Sequence, residues 1–290
     1  IMKLPLWRPI AAITIVLATI GAFVYYFIHN PSVGEQLSRT SPTVIAIILA
    51  LYFCTVGALA LINSSTLRLC RLRMSNSESL LLTAYSSVIN FFGPLQSGPA
   101  FRAVYLKSKY KLNLKNYGVA TLVYYFFYAA FSAMFLFFGV LKWWLIVPVV
   151  LGIIVVIALR QDRLALSRLS KLDLTGWYFL AAASFLQVSL VAAIYFTELR
   201  SLAPNTTLTQ AIIYTGAANF ALFVSLTPGA IGFRESFLLF TQRLHHIDSS
   251  TIVAANILDR AMYVVLLLIL ALFIFGTHAS KQLKSKVETK

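Results

Sequence analysis

The sequence predicts an all-α polytopic membrane protein with about six full spans and two opposed re-entrant hairpins. Each hairpin is broken by Pro and Gly, and the two are related as an inverted repeat. Three observations lead there. The 290 residues are 59% hydrophobic and only 11% charged, with mean hydropathy +0.82, which suits a bilayer and not a soluble domain. The apolar residues come in continuous runs, not in the short alternating segments of a membrane β-barrel. Two further apolar segments end in Pro/Gly clusters where a helix cannot continue.

The first span is expected over residues 9–28. It lacks a small-residue cleavage site, so it reads as a retained span and not a signal peptide. The second covers about 43–62, and a basic loop with Arg68, Arg71 and Arg73 follows. Residues 80–92 are apolar for too short a stretch to cross and end at Gly93-Pro94, with Gly98-Pro99 beyond. Spans are next expected over about 118–140, from there to about 159, and over 177–197. Trp143-Trp144 resemble interface anchors. Residues 208–226 lead into the second broken segment, NFALFVSLTPGAIGFRE, which ends at Glu235, and the last span covers about 250–275.

Lysine and arginine orient the chain. With the N-terminus inside and both hairpins returning to their own side, eighteen of the 24 basic residues fall inside and five outside. The last, Arg260, lies within a span. This is the positive-inside pattern of a cytoplasmic (inner) membrane protein with both termini cytoplasmic. It also absorbs the net charge of +15, so nucleic acid is not an expected partner. Cys54 and Cys70 imply no disulfide framework.

The two broken segments match. Asn90-Phe91 precedes Pro94-x-x-x-Gly98 and Arg102; Asn219-Phe220 precedes Pro228-x-x-x-Gly232 and Arg234, with Gly229 beside the second proline. The same offset lays Tyr125 near Arg260 and Tyr128 near Tyr263. Each half then reads as span, span, hairpin, span: residues 1–140 with a hairpin around 80–105, and 141–276 with a hairpin around 208–240. A basic tail over 277–290 follows. Three spans per half invert the second half, so the hairpins enter from opposite faces, one way to build a transport site near the midplane. Asn90 and Asn219 are expected to bond backbone freed at the breaks.

Asp259 and Arg260 are the chemically conspicuous residues. A charge in a span costs at least ~2.5–3.5 kcal/mol, so both face protein or water and take partners. Neighbours on a helix point about 100° apart, so their natural partners are Arg234 and Glu235. Two readings stand: a closed structural cluster, or a site in which one arginine holds an anionic head group through its planar fork. Arg102 reads as a cytoplasmic counterpart or as an ordinary positive-inside residue. Gln187 suits helix–helix bonding. The His245-His246 pair lacks a third ligand, so no metal is expected. No nucleotide loop or paired-carboxylate pattern appears, so neither a cofactor nor enzymatic activity is expected.

The elements NFFGPLQSGPAFR, TPGAIGFRE and LDRAMY resemble the lysylphosphatidylglycerol synthase transmembrane-region family, flippase-like proteins also found as the membrane half of the multiple peptide resistance factor. Pro228, Gly229, Gly232, Arg234 and Glu235 are the most specific part. The resemblance implies a helical fold with opposed re-entrant segments that moves lipids across the cytoplasmic membrane. Its partners would be anionic phospholipid or a polyprenyl-phosphate lipid. These 290 residues do not include the soluble aminoacyl-transferring domain of the fused proteins, so lipid lysylation is not expected of them. Where the family often carries an acidic–arginine pair after the first hairpin, this chain has Tyr124-Tyr125. The expected function is a flippase-like transporter with Arg260, Arg234 and Arg102 on a lipid phosphate and Asp259 and Glu235 orienting them. The alternatives are an accessory subunit of an envelope-lipid biosynthesis enzyme and a membrane transferase using Asp259.

Overall fold

A computed structural model describes residues 38, 40–92, 97–138, 174–224 and 233–288. The expected first and fourth spans, and Pro94, Pro228, Gly229 and Gly232, lie outside these residues. The described residues form nine α-helices and no strand. They are α1 (Pro42–Leu69), α2 (Asn76–Phe92), α3 (Ser97–Tyr110), α4 (Leu114–Leu136), α5 (Leu174–Leu202), α6 (Leu208–Val224), α7 (Phe233–Phe240), α8 (Gln242–His245) and α9 (Ser249–Glu288). Four are long and apolar enough to cross a membrane: Pro42–Leu69, Leu114–Leu136, Gly176–Leu202 and Ser249–Ile274. The protein is an all-helical, multi-pass membrane protein.

Helix α1 starts where Ser41 caps it. The Ser41 hydroxyl accepts from Val44 N–H at 3.3 Å, and Pro42 supplies a preset first φ. It runs to Leu69, past the expected end at Ile62. Polar side chains permit this because each finds a partner. Thr66 bonds back to the Ile62 carbonyl at 2.8 Å, Asn63 donates to Thr83 at 2.6 Å, and Ser64 donates to Ser79 at 3.0 Å. The helix stops at a Schellman motif, in which Leu72 N–H reaches Leu67 O and Arg71 N–H reaches Arg68 O. Arg71 takes the left-handed position with φ 58°.

Helices α2 and α3 fold back on each other. Ser75 caps α2 by accepting from Glu78 N–H at 3.3 Å. At the open end Glu78 accepts from Lys109 at 2.7 Å, Tyr105 at 2.7 Å and Tyr110 at 2.8 Å. At the closed end Gly98 N–H donates to the Asn90 side chain at 3.2 Å, and the Ser97 hydroxyl donates to Ile89 O at 2.9 Å. A Cβ on Gly98 would stand 2.6 Å from the Ser86 carbonyl, so only glycine admits this approach.

The core joins α1, α5, α6, α7 and α9 around Ile48, Leu199, Tyr214, Leu238 and Ile252, all fully buried. Helices α1 and α5 run antiparallel: Arg68 covers the Phe179 ring at one end, and Leu69 meets Gly176 there. Helices α4 and α5 run parallel through an aromatic seam of Phe127 on Trp177 and Phe131 on Phe185. Tyr124 adds a hydroxyl bond of 3.0 Å to Gln187 across this seam. Exposed apolar side chains such as Phe53 and Leu61 on α1 and Leu268 and Leu272 on α9 mark faces suited to lipid.

Candidate functional site

The charged residues of the last span meet those at the start of α7. Asp259 lies ten residues into α9, about 15 Å from its start at 1.5 Å per residue and therefore close to the middle of a ~30 Å hydrocarbon layer. Consecutive residues point to different sides, so Asp259 and Arg260 reach different residues of α7. Arg234 Nη1 donates to Asp259 Oδ2 at 2.6 Å. Arg260 donates to Glu235 Oε1 through Nε at 3.1 Å and Nη2 at 2.7 Å. Two rungs, each joining residues 25 apart in sequence, thus tie α7 to α9.

The rungs differ. Both side chains of the Arg234–Asp259 pair are 8% exposed, whereas Glu235 in the other pair is 25% exposed. The buried pair is also the more elaborate. Tyr52 of α1 donates its hydroxyl to Asp259 Oδ1, and the guanidinium of Arg234 sits 5.1 Å from the centre of the Tyr195 ring on α5. That ring face adds a cation–π attraction strengthened by burial. Two donors remain unspent: Nε and Nη2 of Arg234 are buried without a hydrogen-bond partner among the described residues.

Glu198 stands beside this pair and was not among the residues singled out from the sequence. It is 0% exposed, and neither carboxyl oxygen has a hydrogen-bond partner among the described residues. Asp259 and Arg234 are the charges that bear on it. One clue was available: Thr197-Glu198-Leu199 follows an apolar run that begins well before it. Arg200 two residues on made Glu198 resemble an exposed residue at the end of a span. The helix instead continues to Leu202. Tyr52 was missed for a different reason: a tyrosine in an apolar run carries no sign of its partner.

Arg102 lies elsewhere. Its Nη1 donates to Asn63 Oδ1 on α1, and its Nε is buried without a partner among the described residues. Arg102 is thus held by a neutral amide, unlike Arg234 and Arg260. Between Arg102 and Arg234 runs a hydroxyl stripe on one face of α4: Tyr117, Tyr124, Tyr128 and Ser132. Their spacings of seven, four and four keep them on that face. The charge of Arg102 bears on Tyr117 and Tyr124, and that of Arg234 on Tyr128. Ser132 is fully buried, and its hydroxyl has no partner among the described residues.

Asn219 is 1% exposed, and neither atom of its amide has a hydrogen-bond partner among the described residues. His245 is consumed structurally. Ile247 N–H donates to Nδ1 at 3.2 Å, so Nε2 carries the proton it offers to Leu238 O at 3.1 Å. No group of three potential metal ligands occurs among the described residues.

None of the curated proteins or solved structures compared with the chain matches it. Residues 10–271 match the protein family described as the lysylphosphatidylglycerol synthase TM region. That match spans nearly the whole chain and includes every charged residue of the site, so the protein belongs to this family of membrane proteins concerned with lipid.

Proposed function

We propose that this protein is a flippase-like transporter that moves a phosphate-headed lipid, either a phospholipid or a polyprenyl-phosphate-linked lipid, across the cytoplasmic membrane. One observation carries the reading: Arg234 is buried against Asp259, ten residues into an apolar span, with Nε and Nη2 unspent among the described residues. A guanidinium there is costly. Its planar fork suits a phosphate. In this reading α2–α3 and α6–α7 are the two opposed re-entrant hairpins of an inverted repeat, with both termini cytoplasmic. Arg102, held by the neutral Asn63 amide, receives the head group from the cytoplasmic side. The hydroxyl stripe of α4 offers neutral hydrogen-bonding groups between Arg102 and Arg234. Asp259 and Glu235 orient the arginines, and the acyl or prenyl chains stay in lipid. The protein catalyses no covalent chemistry in this account.

A second reading has its own support. Arg234 and Arg260 are both already engaged by carboxylates, as in a closed scaffold. On that basis the chain would be an accessory subunit of an envelope-lipid biosynthesis enzyme. Reconstitution separates the two. The full chain is placed in liposomes with head-group-labelled lipid, and movement is followed by quenching with a membrane-impermeant reductant. The transporter reading expects movement with the wild type and none with a folded Arg260→Ala variant. Equal rates in both remove Arg260 from the site. No wild-type movement of anionic, zwitterionic or polyprenyl-phosphate lipids favours the accessory role.

A further inference from the structure

We infer that Glu198 is a buried proton-binding site that shares a single counter-ion, Arg234, with Asp259. Among the described residues the charges of this cluster do not balance without a proton. Arg234, Asp259 and Glu198 form one buried group: all three are at most 6% exposed as whole residues, Arg234 bonds Asp259, and both charges act on Glu198. Arg234 supplies one positive charge and commits Nη1 to Asp259. Tyr52 gives its hydroxyl to the same carboxylate. Asp259 therefore holds both strong donors, and Glu198 receives neither.

A carboxylate buried without a hydrogen bond or a counter-charge of its own is among the most expensive groups a protein can bury. The neutral acid avoids most of that cost. Glu198 meets these conditions at once: it is 0% exposed, and both oxygens lack a partner among the described residues. The titratable groups around the Arg234–Asp259–Glu198 cluster do not change the balance. Helix α1 brings Tyr52, α4 brings Tyr128, α5 brings Tyr195 and α6 brings Tyr214, with His245 of α8 behind Tyr214. Helix α7 brings Arg234 and Glu235, and α9 brings Asp259, Arg260 and Tyr263. Arg260 is tied to Glu235. Among the described residues that leaves one cation for two carboxylates, and a proton supplies the second positive charge.

The arrangement also states how the proton leaves. Arg234 keeps Nε and Nη2 unspent among the described residues. When Glu198 loses its proton to water, those donors are the ones available to receive the new anion. With the proton gone, the two carboxylates compete for one guanidinium, and proton return to Glu198 restores the balance. The site binds a proton whether or not lipid moves, so it stands independently of the transporter reading.

Infrared spectroscopy of the folded, lipid-reconstituted full chain tests it. At neutral pH the wild type is expected to show the carbonyl band of a protonated carboxylic acid. Carboxyl-labelling of glutamate with heavy carbon should shift that band, and the same label in aspartate should leave it in place. Glu198→Gln should remove the band, and Glu235→Gln should retain it. Labelling needs no substitution, so the result stands even where Glu198→Gln fails to fold. The shared counter-ion is tested by Asp259→Asn, which frees Arg234 for Glu198: the band should vanish at neutral pH. A wild type without the band, or a band that shifts with aspartate label, overturns the proton site. A band unchanged by Asp259→Asn overturns the sharing.

Discussion

Arg234 and Asp259 are 25 residues apart in the chain, yet a 2.6 Å bond joins guanidinium to carboxylate in a core where both side chains are 8% exposed. Breaking such a pair strands a charge, whereas removing both partners does not. Arg234→Met is expected to destabilise the folded protein by about 3–5 kcal/mol, and Asp259→Leu by less, because Glu198 can ionise beside the freed guanidinium. The double variant should lose clearly less than the sum. Denaturant unfolding in detergent measures the cycle, and additive losses would show that the two residues do not depend on each other.

Tyr52 donates to the same carboxylate from α1. Tyr52→Phe keeps the ring and deletes only the donor. The loss expected for a buried bond to a charged acceptor is about 1.5–3 kcal/mol. Thermal unfolding of the reconstituted variant checks it, and an unchanged midpoint would mean that Arg234 alone suffices for Asp259.

Gly216 marks the close crossing of α6 over α4. A Cβ there would stand 2.5 Å from Leu136 Cα and 2.7 Å from the Ser132 carbonyl, all backbone that cannot swing aside. Gly216→Ala is therefore expected to destabilise by about 1–3 kcal/mol through overpacking. Gly57 of α1 is the matched control, since a Cβ added there would meet nothing within 4 Å. Gly57→Ala should be neutral or stabilise by up to about 1 kcal/mol through helix propensity. The contrast in unfolding midpoint between the two variants is the readout.

His245 lies outside the four apolar spans and is buried at the turn after α7. Burial depresses its basicity below the ordinary imidazole value of 6.5, against the pull of the Leu238 carbonyl, and His246 adds to the depression. Protonation would also destroy the acceptor that Nδ1 offers Ile247. The unfolded chain then binds this proton more readily than the folded one. Its contribution is complete above pH 6.5 and falls as pH drops through 6.5 toward the lower folded value. His245→Phe should be less stable than the wild type at pH 7.5, a chosen pH about one unit above the ordinary value. That difference should shrink on acidification. A constant difference would show that the imidazole titrates alike in both states.

Much of this architecture was legible because membrane burial is so costly. Charges in an apolar run had to be paired, which made Asp259 and Arg260 conspicuous, and the nearest charges after a helix break were Arg234 and Glu235. The pairing found, Arg234 with Asp259 and Arg260 with Glu235, follows from the 100° step between neighbours. What composition could not convey was the length of helices beyond their apolar runs. Asn63, Ser64 and Thr66 look like a loop until Thr83 and Ser79 are placed beside the first two and the Ile62 carbonyl beside the third. Glu198 was hidden in the same way, since a glutamate near Arg200 reads as solvated unless the tertiary burial is known. The partner of Arg102 was equally invisible, because Asn63 is 39 residues away in sequence.

The two thiols lead to a practical consequence. Cys54 is exposed on the apolar surface of α1, and Cys70 sits at the helix end where burial pushes its thiol up to about 11. The first faces the acyl chains, which a polar maleimide does not enter. The second is almost entirely protonated at neutral pH, and the thiolate is the reactive form. The chain has only these two cysteines, so towards polar maleimides it behaves as a cysteine-free protein in its natural form. A single cysteine introduced into any loop becomes the one reactive handle on the molecule. Spin-label distances and sidedness labelling of both termini can then proceed without first rebuilding the background sequence.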